Sequence, residues 1–196
     1  MLNNIQIKAK IVFPIIILFS IFLLLTGSLI YTEYSKNLAF YNLENKIILA
    51  TKLSRLLHAT QKERGMSVGF ESSKGIQFQK ELVIQRAHTD ITLQEVSTYI
   101  DSIYVIKDNE EINSALKSMT ELANTRNSID TLSMSSDDIM SLYSNMNSDI
   151  LKIIIEISKC SQEPKITQNI IAYSNFLYLK ENVGIERAIG TKILSS

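Results

Sequence analysis

Two short stretches of the chain repeat one chemical order. Glu63-Arg64-Gly65-Met66-Ser67 and Glu186-Arg187-Ala188-Ile189-Gly190 each read Glu, Arg, small, apolar, small. Arginine presents a planar fork of donors that stays charged at any physiological pH. A small planar oxyanion accepts from such a fork in bidentate fashion, and small neighbours leave it room. On two facing helices the stretches would aim Arg64 and Arg187 at one spot and make an anion site. Lys62, Lys180 and Arg86 are secondary cation candidates. Gly65 and Gly69 lie four apart, and Gly184 and Gly190 flank the second arginine. All four are read as residues that let helices approach closely. The alternative is structural: Arg64 and Arg187 pair with Glu63, Glu181 or Glu186 of neighbouring helices and hold helix register.

Other chemistry is sparse. His58 and His88 are the only histidines and Cys160 the only cysteine. An intramolecular disulfide and a cysteine-based metal site are excluded, and each histidine reads as an ordinary surface or core-edge residue. No His, Cys or paired-carboxylate arrangement has catalytic spacing. The expectation is a protein that is not an enzyme and needs no metal or cofactor. Twenty basic residues balance 20 acidic ones, so nothing recommends nucleic acid as a partner.

The elements that must position the two arginines are helices. Residues 11–31, IVFPIIILFSIFLLLTGSLIY, carry no charge and are long enough to cross a bilayer at about 1.5 Å per residue. Lys8 and Lys10 precede them without an acid, which predicts a cytoplasmic N-terminus at residues 1–10, a transmembrane helix at 11–31 and an extracytoplasmic domain at 32–196. A cleaved signal peptide is the alternative, disfavoured by the length of the apolar run. Beyond Thr32, apolar residues recur at helical spacing. The first helix is expected to run on to about Phe70, with Leu49, Leu53, Leu56 and Leu57 on one face, and Ser72–Gly75 to be a turn. A second helix is expected from about Gln77 to Tyr99, with Phe78, Leu82, Leu93 and Val96 inward. A third, capped by Asp108, carries Ile112, Leu116, Met119, Leu122, Ile129 and Leu132. Ser135–Asp138 reads as a helix start, opening a fourth helix from about Asp137 to Lys159. Glu163 and Pro164 open a fifth. Short turns between such helices predict an all-α, antiparallel up-down bundle continuing from the membrane helix.

Within that bundle, apolar seams turn polar where the arginines lie. Leu53 and Leu57 lead at the same spacing to Thr60 and Arg64, and a neighbouring stripe runs Leu49, Leu53, Leu56, Thr60, Glu63, Ser67, Phe70. On the fifth helix Ile166, Ile170, Tyr173 and Leu177 predict a seam that continues through Lys180, Gly184, Arg187, Thr191 and Leu194. Cations are seldom fully buried unless paired, and a helical glycine costs about 1 kcal/mol against alanine.

These residues also resemble a known family. His58-x-x-Gln61-Lys62-Glu63-Arg64-Gly65-Met66-Ser67-x-Gly69-Phe70-x-x-Ser73-x-Gly75-x-x-Phe78, followed by Gln85-Arg86-x-x-Thr89-Asp90, resembles the first signature of the nitrate- and nitrite-sensing (NIT) domain of bacterial receptors. Lys180-Glu181-x-x-Gly184-x-Glu186-Arg187-Ala188-x-Gly190 resembles the second. The resemblance covers about Leu49 to Leu194. It implies a helical sensor of nitrate or nitrite with Arg64 and Arg187 in the anion site, Arg86, Lys62 and Lys180 following. The family occurs in chemotaxis receptors, histidine kinases, cyclic-nucleotide enzymes and a soluble RNA-binding antiterminator. Membrane-bound members carry the domain outside the cytoplasm, which implies an inner-membrane receptor fragment for signal transduction, such as chemotaxis, working as a homodimer. The chain stops just after the second signature, so its sensor domain is expected to be truncated at the C-terminal end. Two other readings stay open: a membrane-tethered bundle with a structural or interaction role, and a sensor of another small anion.

Overall fold

The computed structural model describes residues 7–103, 112, 114, 117, 119, 122–158 and 164–195. Among them are five helices: α1 (Ile7–Ser72), α2 (Gln79–Ser102), α3 (Leu122–Asp130), α4 (Ser136–Ser158) and α5 (Pro164–Ser195). The chain divides into two compact units, Met1–Glu44 and Asn45–Ser196.

The first unit is the N-terminal part of α1. Its apolar side chains from Ile11 to Ile30 are exposed, and an 18-residue window reaches a mean hydropathy of 2.6. That is long and apolar enough to cross a membrane. The hydroxyls of Ser20, Thr26 and Thr32 donate to carbonyls four residues back at 2.8–2.9 Å, so these three find partners in their own helix.

The second unit is an up-down bundle. Gln85 Nε2 donates to the Ala59 carbonyl at 3.1 Å, and Tyr99 Oη to that of Asn45 at 3.3 Å, which sets α2 antiparallel to α1. Arg126 and Asp130 of α3 meet Asp90 and Arg86 of α2 in reversed order. Thr60 meets Asn147 while Ser72 meets Ser136, so α4 runs antiparallel to α1. Tyr173 bonds Ser54 and Glu181 bonds Gln61, so α5 runs parallel to α1. Leu49, Leu53, Leu56 and Leu57 are all buried, together with Leu82, Val96, Ile129, Ile139, Ile150, Ile154 and Leu177.

The turns follow from local chemistry. At the end of α1, Lys74 adopts φ 54° while Gly75 N donates to Phe70 O and Lys74 N to Glu71 O. That 6→1 and 5→2 pair satisfies the last carbonyls of the helix. The end of α3 repeats it, with Leu132 at φ 53° and Ser133 N and Leu132 N bonding Ser128 O and Ile129 O. Leu132, expected on the core stripe, is therefore a turn residue, 39% exposed. Ser135 caps α4: its Oγ accepts from Asp138 N at 3.2 Å, the arrangement expected of a serine ahead of an acidic first turn.

One expectation fails in phase. On α5 the buried described residues are Ser174, Leu177, Glu181 and Ala188. Tyr173 and Arg187 are exposed, Leu194 is 87% exposed, and Lys180, Gly184 and Thr191 are half-buried. The inward face is thus one residue, about 100° of helix, from the predicted seam. The side chains of Ile166 and Ile170, together with Asp108, Leu116, Cys160 and Glu163, lie outside the described residues.

Candidate functional site

Where apolar stripes of α1, α4 and α5 give way to polar residues, the bundle holds a buried network. Thr60, Glu63, Arg64, Ser67 and Asn147 are all 0% exposed. The Thr60 hydroxyl lies 2.6 Å from Asn147 Oδ1, and Asn147 Nδ2 reaches Glu181 Oε2 at 3.3 Å. Gln61 Nε2 donates to the same oxygen at 2.7 Å. Arg64 Nη1 donates to Glu181 Oε1 at 2.5 Å and to Ser144 Oγ at 2.9 Å. Glu181 is itself only 6% exposed, so the pair sits in a medium where charge must be balanced.

The pair consumes one end of the guanidinium. Both Nη1 hydrogens are engaged, while Nε and Nη2 are buried without a hydrogen-bond partner among the described residues. These two nitrogens form the side-on edge of the fork, the edge that matches two oxygens of a planar anion. A methyl group at Gly184 would stand 3.0 Å from Arg64 Nη2, so the edge meets α5 where α5 has no side chain.

Gly184 lies on one helical stripe with Lys180 and Arg187 (spacings of four and three). Across from it, α1 carries His58, Lys62 and Gly65 at the same spacings. The positive groups feel one another. The Lys180 ammonium is pushed below its ordinary range by partial burial, then by Arg187 and Lys62, with Glu181 opposing. His58 is lowered by desolvation, then by Lys180, Lys62, His88 and Arg187. Arg187 has no ion pair among the described residues.

A second network lies beside the first. Glu63 accepts two bonds from Arg126, Nε–Oε1 at 2.8 Å and Nη2–Oε2 at 3.0 Å, and a third from Tyr143 Oη at 2.7 Å. Arg126 Nη1 continues to Asp90 Oδ1 at 2.8 Å. Burial works against the Arg126 charge, but Glu63 and then Asp90 outweigh it and raise its pKa. Burial, then the Glu63 charge, raises the Tyr143 pKa, so the phenol is a committed donor. Arg86 is paired with Asp130, with contacts of 2.8 and 2.9 Å, and its own Nε and Nη2 are also buried without a hydrogen-bond partner among the described residues.

The sequence candidates therefore separate. Arg64 is in the core, and its pairing with Glu181 is one of the structural partnerships left open above. Arg187, Lys62 and Lys180 gather near the same α1–α5 seam, but on its outer side. Two guanidiniums meeting in one acid-poor spot is not what the chain builds: Arg64 is neutralised by Glu181 and Arg187 faces solvent. Arg86 belongs to the α2–α3 side. Of the glycines, Gly184 admits Arg64, and Gly69 admits Phe78 and Thr191, whose atoms a methyl would meet at 2.5 and 2.9 Å. At Gly65 and Gly190 a methyl would meet nothing within 4 Å, so the space beside them is open rather than filled by a neighbouring helix.

Sequence reasoning missed Glu181 as an inward residue, and with it Asn147, Ser144, Arg126 and Tyr143. A usable signal existed for Arg126. The stripe from Leu122 to Ile129 skips one helical turn, and Arg126 stands in the gap, the same polar interruption that singled out Arg64.

A family model for nitrate and nitrite sensing matches residues 55–196. No curated protein matches. Among solved structures, the one titled "Structure of the NasR transcription antiterminator" superposes with a TM-score of 0.72 at 22% identity, over 84% of this chain and 46% of that chain. At that identity the likeness speaks to the fold, and this chain spans less than half the length of that one. The matched family segment contains both Glu-Arg stretches, the Arg64–Glu181 pair and the glycine above it, and the chain belongs to the nitrate- and nitrite-sensing (NIT) domain family.

Proposed function

We propose that this chain senses nitrate or nitrite by taking the anion on the Nε/Nη2 edge of Arg64, beneath Gly184. The observation that carries the reading is that edge: a fully buried guanidinium with two adjacent donors unused in a family described by nitrate and nitrite sensing. An unpaired buried donor costs about 1–3 kcal/mol, which a planar anion would recover. Lys62, Lys180 and Arg187 supply positive potential on the outer side of the seam and draw anions toward it. The sensor is anchored by residues 11–31, faces away from the cytoplasm because Lys8 and Lys10 stay inside, and serves signal transduction.

The test is calorimetric titration of the full chain in detergent micelles with nitrate, nitrite, formate and chloride at constant ionic strength. Nitrate and nitrite should bind more tightly than chloride, whose single atom cannot set a separate acceptor in line with each donor. Arg64→Lys keeps a cation for Glu181 but replaces the fork by a point charge, and should abolish the nitrate heat. Undiminished binding in that variant rejects the site.

The structural reading has one observation of its own, the 2.5 Å Arg64–Glu181 bridge. If Arg64 only fixes helix register, Arg64→Lys lowers Tm modestly and nitrate raises the Tm of no variant.

A further inference from the structure

Glu181 is the only carboxylate bonded to Arg64 among the described residues, and it is held on three sides. Gln61 and Asn147 donate to it from α1 and α4, and Arg64 completes the cage. Before any ligand arrives, the buried pair is neutral. An anion on the free edge of Arg64 turns one guanidinium and one carboxylate into one cation shared by two anions, in a place where neither anion is hydrated. Charges packed this closely in a dry seam interact strongly, and the compensating Lys62 and Arg187 stand outside in solvent.

We propose that Glu181 is the affinity-setting residue of the anion site: its carboxylate opposes the incoming anion across the Arg64 guanidinium and holds the affinity down. This rests on the assignment of the anion to Arg64. The same contact would make the site responsive. Whatever anion loads the Nε/Nη2 edge weakens the Nη1–Glu181 bond, and that bond is a buried charged link between α1 and α5. Ligand occupancy is thereby coupled to the hold of α1 on α5 through a single shared cation, and the coupling equals the difference in anion affinity with and without the bond. Gln61 and Asn147 remain to keep Glu181 hydrogen-bonded once Arg64 turns to its ligand.

Two substitutions test this. Glu181→Gln keeps the shape and an acceptor for Arg64 while removing the charge, and Glu181→Asp keeps the charge but withdraws it by one methylene. In nitrate titrations of the full chain in micelles, at matched ionic strength, Glu181→Gln should bind about tenfold tighter than the unmodified chain. Glu181→Asp should bind tighter by a smaller factor, and either variant alone decides the matter if the other fails to fold. Tighter binding accompanied by a lower ligand-free Tm is the expected signature. A bridge with a purely structural role gives the opposite: lower Tm together with equal or weaker binding. Nitrate binding to the unmodified chain that neither folded variant tightens overturns the role of Glu181 and leaves the Arg64 site standing. Nitrate binding to none of the three overturns both. Binding that appears only in Glu181→Gln supports both.

Discussion

Glu63 and Arg64 are neighbours in sequence, yet they serve different networks. Glu63 faces α3 and α4, where Arg126 and Tyr143 saturate it. Arg64 faces α4 and α5, where Ser144 and Glu181 use one end of its guanidinium and leave the other end unused. Satisfied and unsatisfied buried charges behave differently under mutation. Glu63→Ala leaves Arg126 without its bidentate partner and should cost about 3–5 kcal/mol, read as a drop in the urea midpoint. Nitrate affinity of the folded fraction should be unchanged. His58 offers a pH prediction at the same scale. Its folded pKa is depressed, by desolvation first and then by Lys180, Lys62, His88 and Arg187. The unfolded chain therefore binds the proton more readily, and stability rises with pH across the window from the lowered pKa up to the ordinary histidine value of 6.5. Above 6.5 the effect vanishes. Denaturation midpoints between pH 5 and 7 should show a slope that His58→Gln flattens, and a slope unaffected by that change would remove His58 from the cationic cluster.

At the scale of the element, the glycines of α1 and α5 divide by what their missing methyl would meet. Gly184→Ala places a carbon 3.0 Å from Arg64 Nη2, while alanine favours the helix by about 1 kcal/mol. Nitrate affinity should fall at unchanged or raised Tm. Gly65→Ala and Gly190→Ala meet open space and should give the stabilisation, about 1 kcal/mol or less each, without the loss of binding. Gly69→Ala drives into the Phe78 ring. Phe78 already holds φ 63° at the start of α2, so the turn has little freedom to yield, and Tm should drop. Loss of nitrate binding in Gly65→Ala as well would place the anion elsewhere. The helices differ in how plainly their sequences announce this. On α1 every position of the stripe Leu49, Leu53, Leu56, Thr60, Glu63, Ser67 is buried, because the opposite face is polar enough to leave one phase. On α5 the outer face carries Phe176, Leu179, Val183, Ile189 and Ile193, all exposed. With apolar residues on both sides, periodicity cannot choose between two registers one residue apart, and the register passing through Tyr173 and Leu177 hides Glu181. An acid on such a helix is informative only once its cation across the interface is known, and that pairing is a tertiary fact.

At the scale of the molecule, the two units expose different surfaces. The Asn45–Ser196 unit buries its leucines and isoleucines against one another. The Met1–Glu44 unit leaves Phe13, Leu18, Phe19, Phe22, Leu24 and Leu25 at least 59% exposed on one helix. An exposed apolar run of this size needs a partner, and its length matches the hydrocarbon core of a bilayer. Under the topology proposed above, Lys8 and Lys10 would set its direction, since basic residues are retained on the cytoplasmic side. The full chain should sediment with membranes and resist extraction at alkaline pH, while a chain starting at Glu33 should not. A phosphatase that folds only outside the cytoplasm, fused after Ser196, should be active, and exchanging Lys8 and Lys10 for Glu while adding two lysines after Tyr31 should reduce that activity. Mass spectrometry of the membrane-bound form separates an anchor from a leader peptide. An intact N-terminus supports the anchor, whereas a product cleaved after the apolar run removes it. The outcome also bears on the chemistry of the site. A domain held outside the cytoplasm meets anions at environmental concentrations and ionic strengths. There the cationic flank of Lys62, Lys180 and Arg187 would be screened within about 10 Å at 0.1 M salt, whereas the buried Arg64–Glu181 pair would not. Added salt should therefore slow nitrate association far more than it weakens the bound state. Equal effects on both would mean that the anion stays on the surface cations and never reaches Arg64.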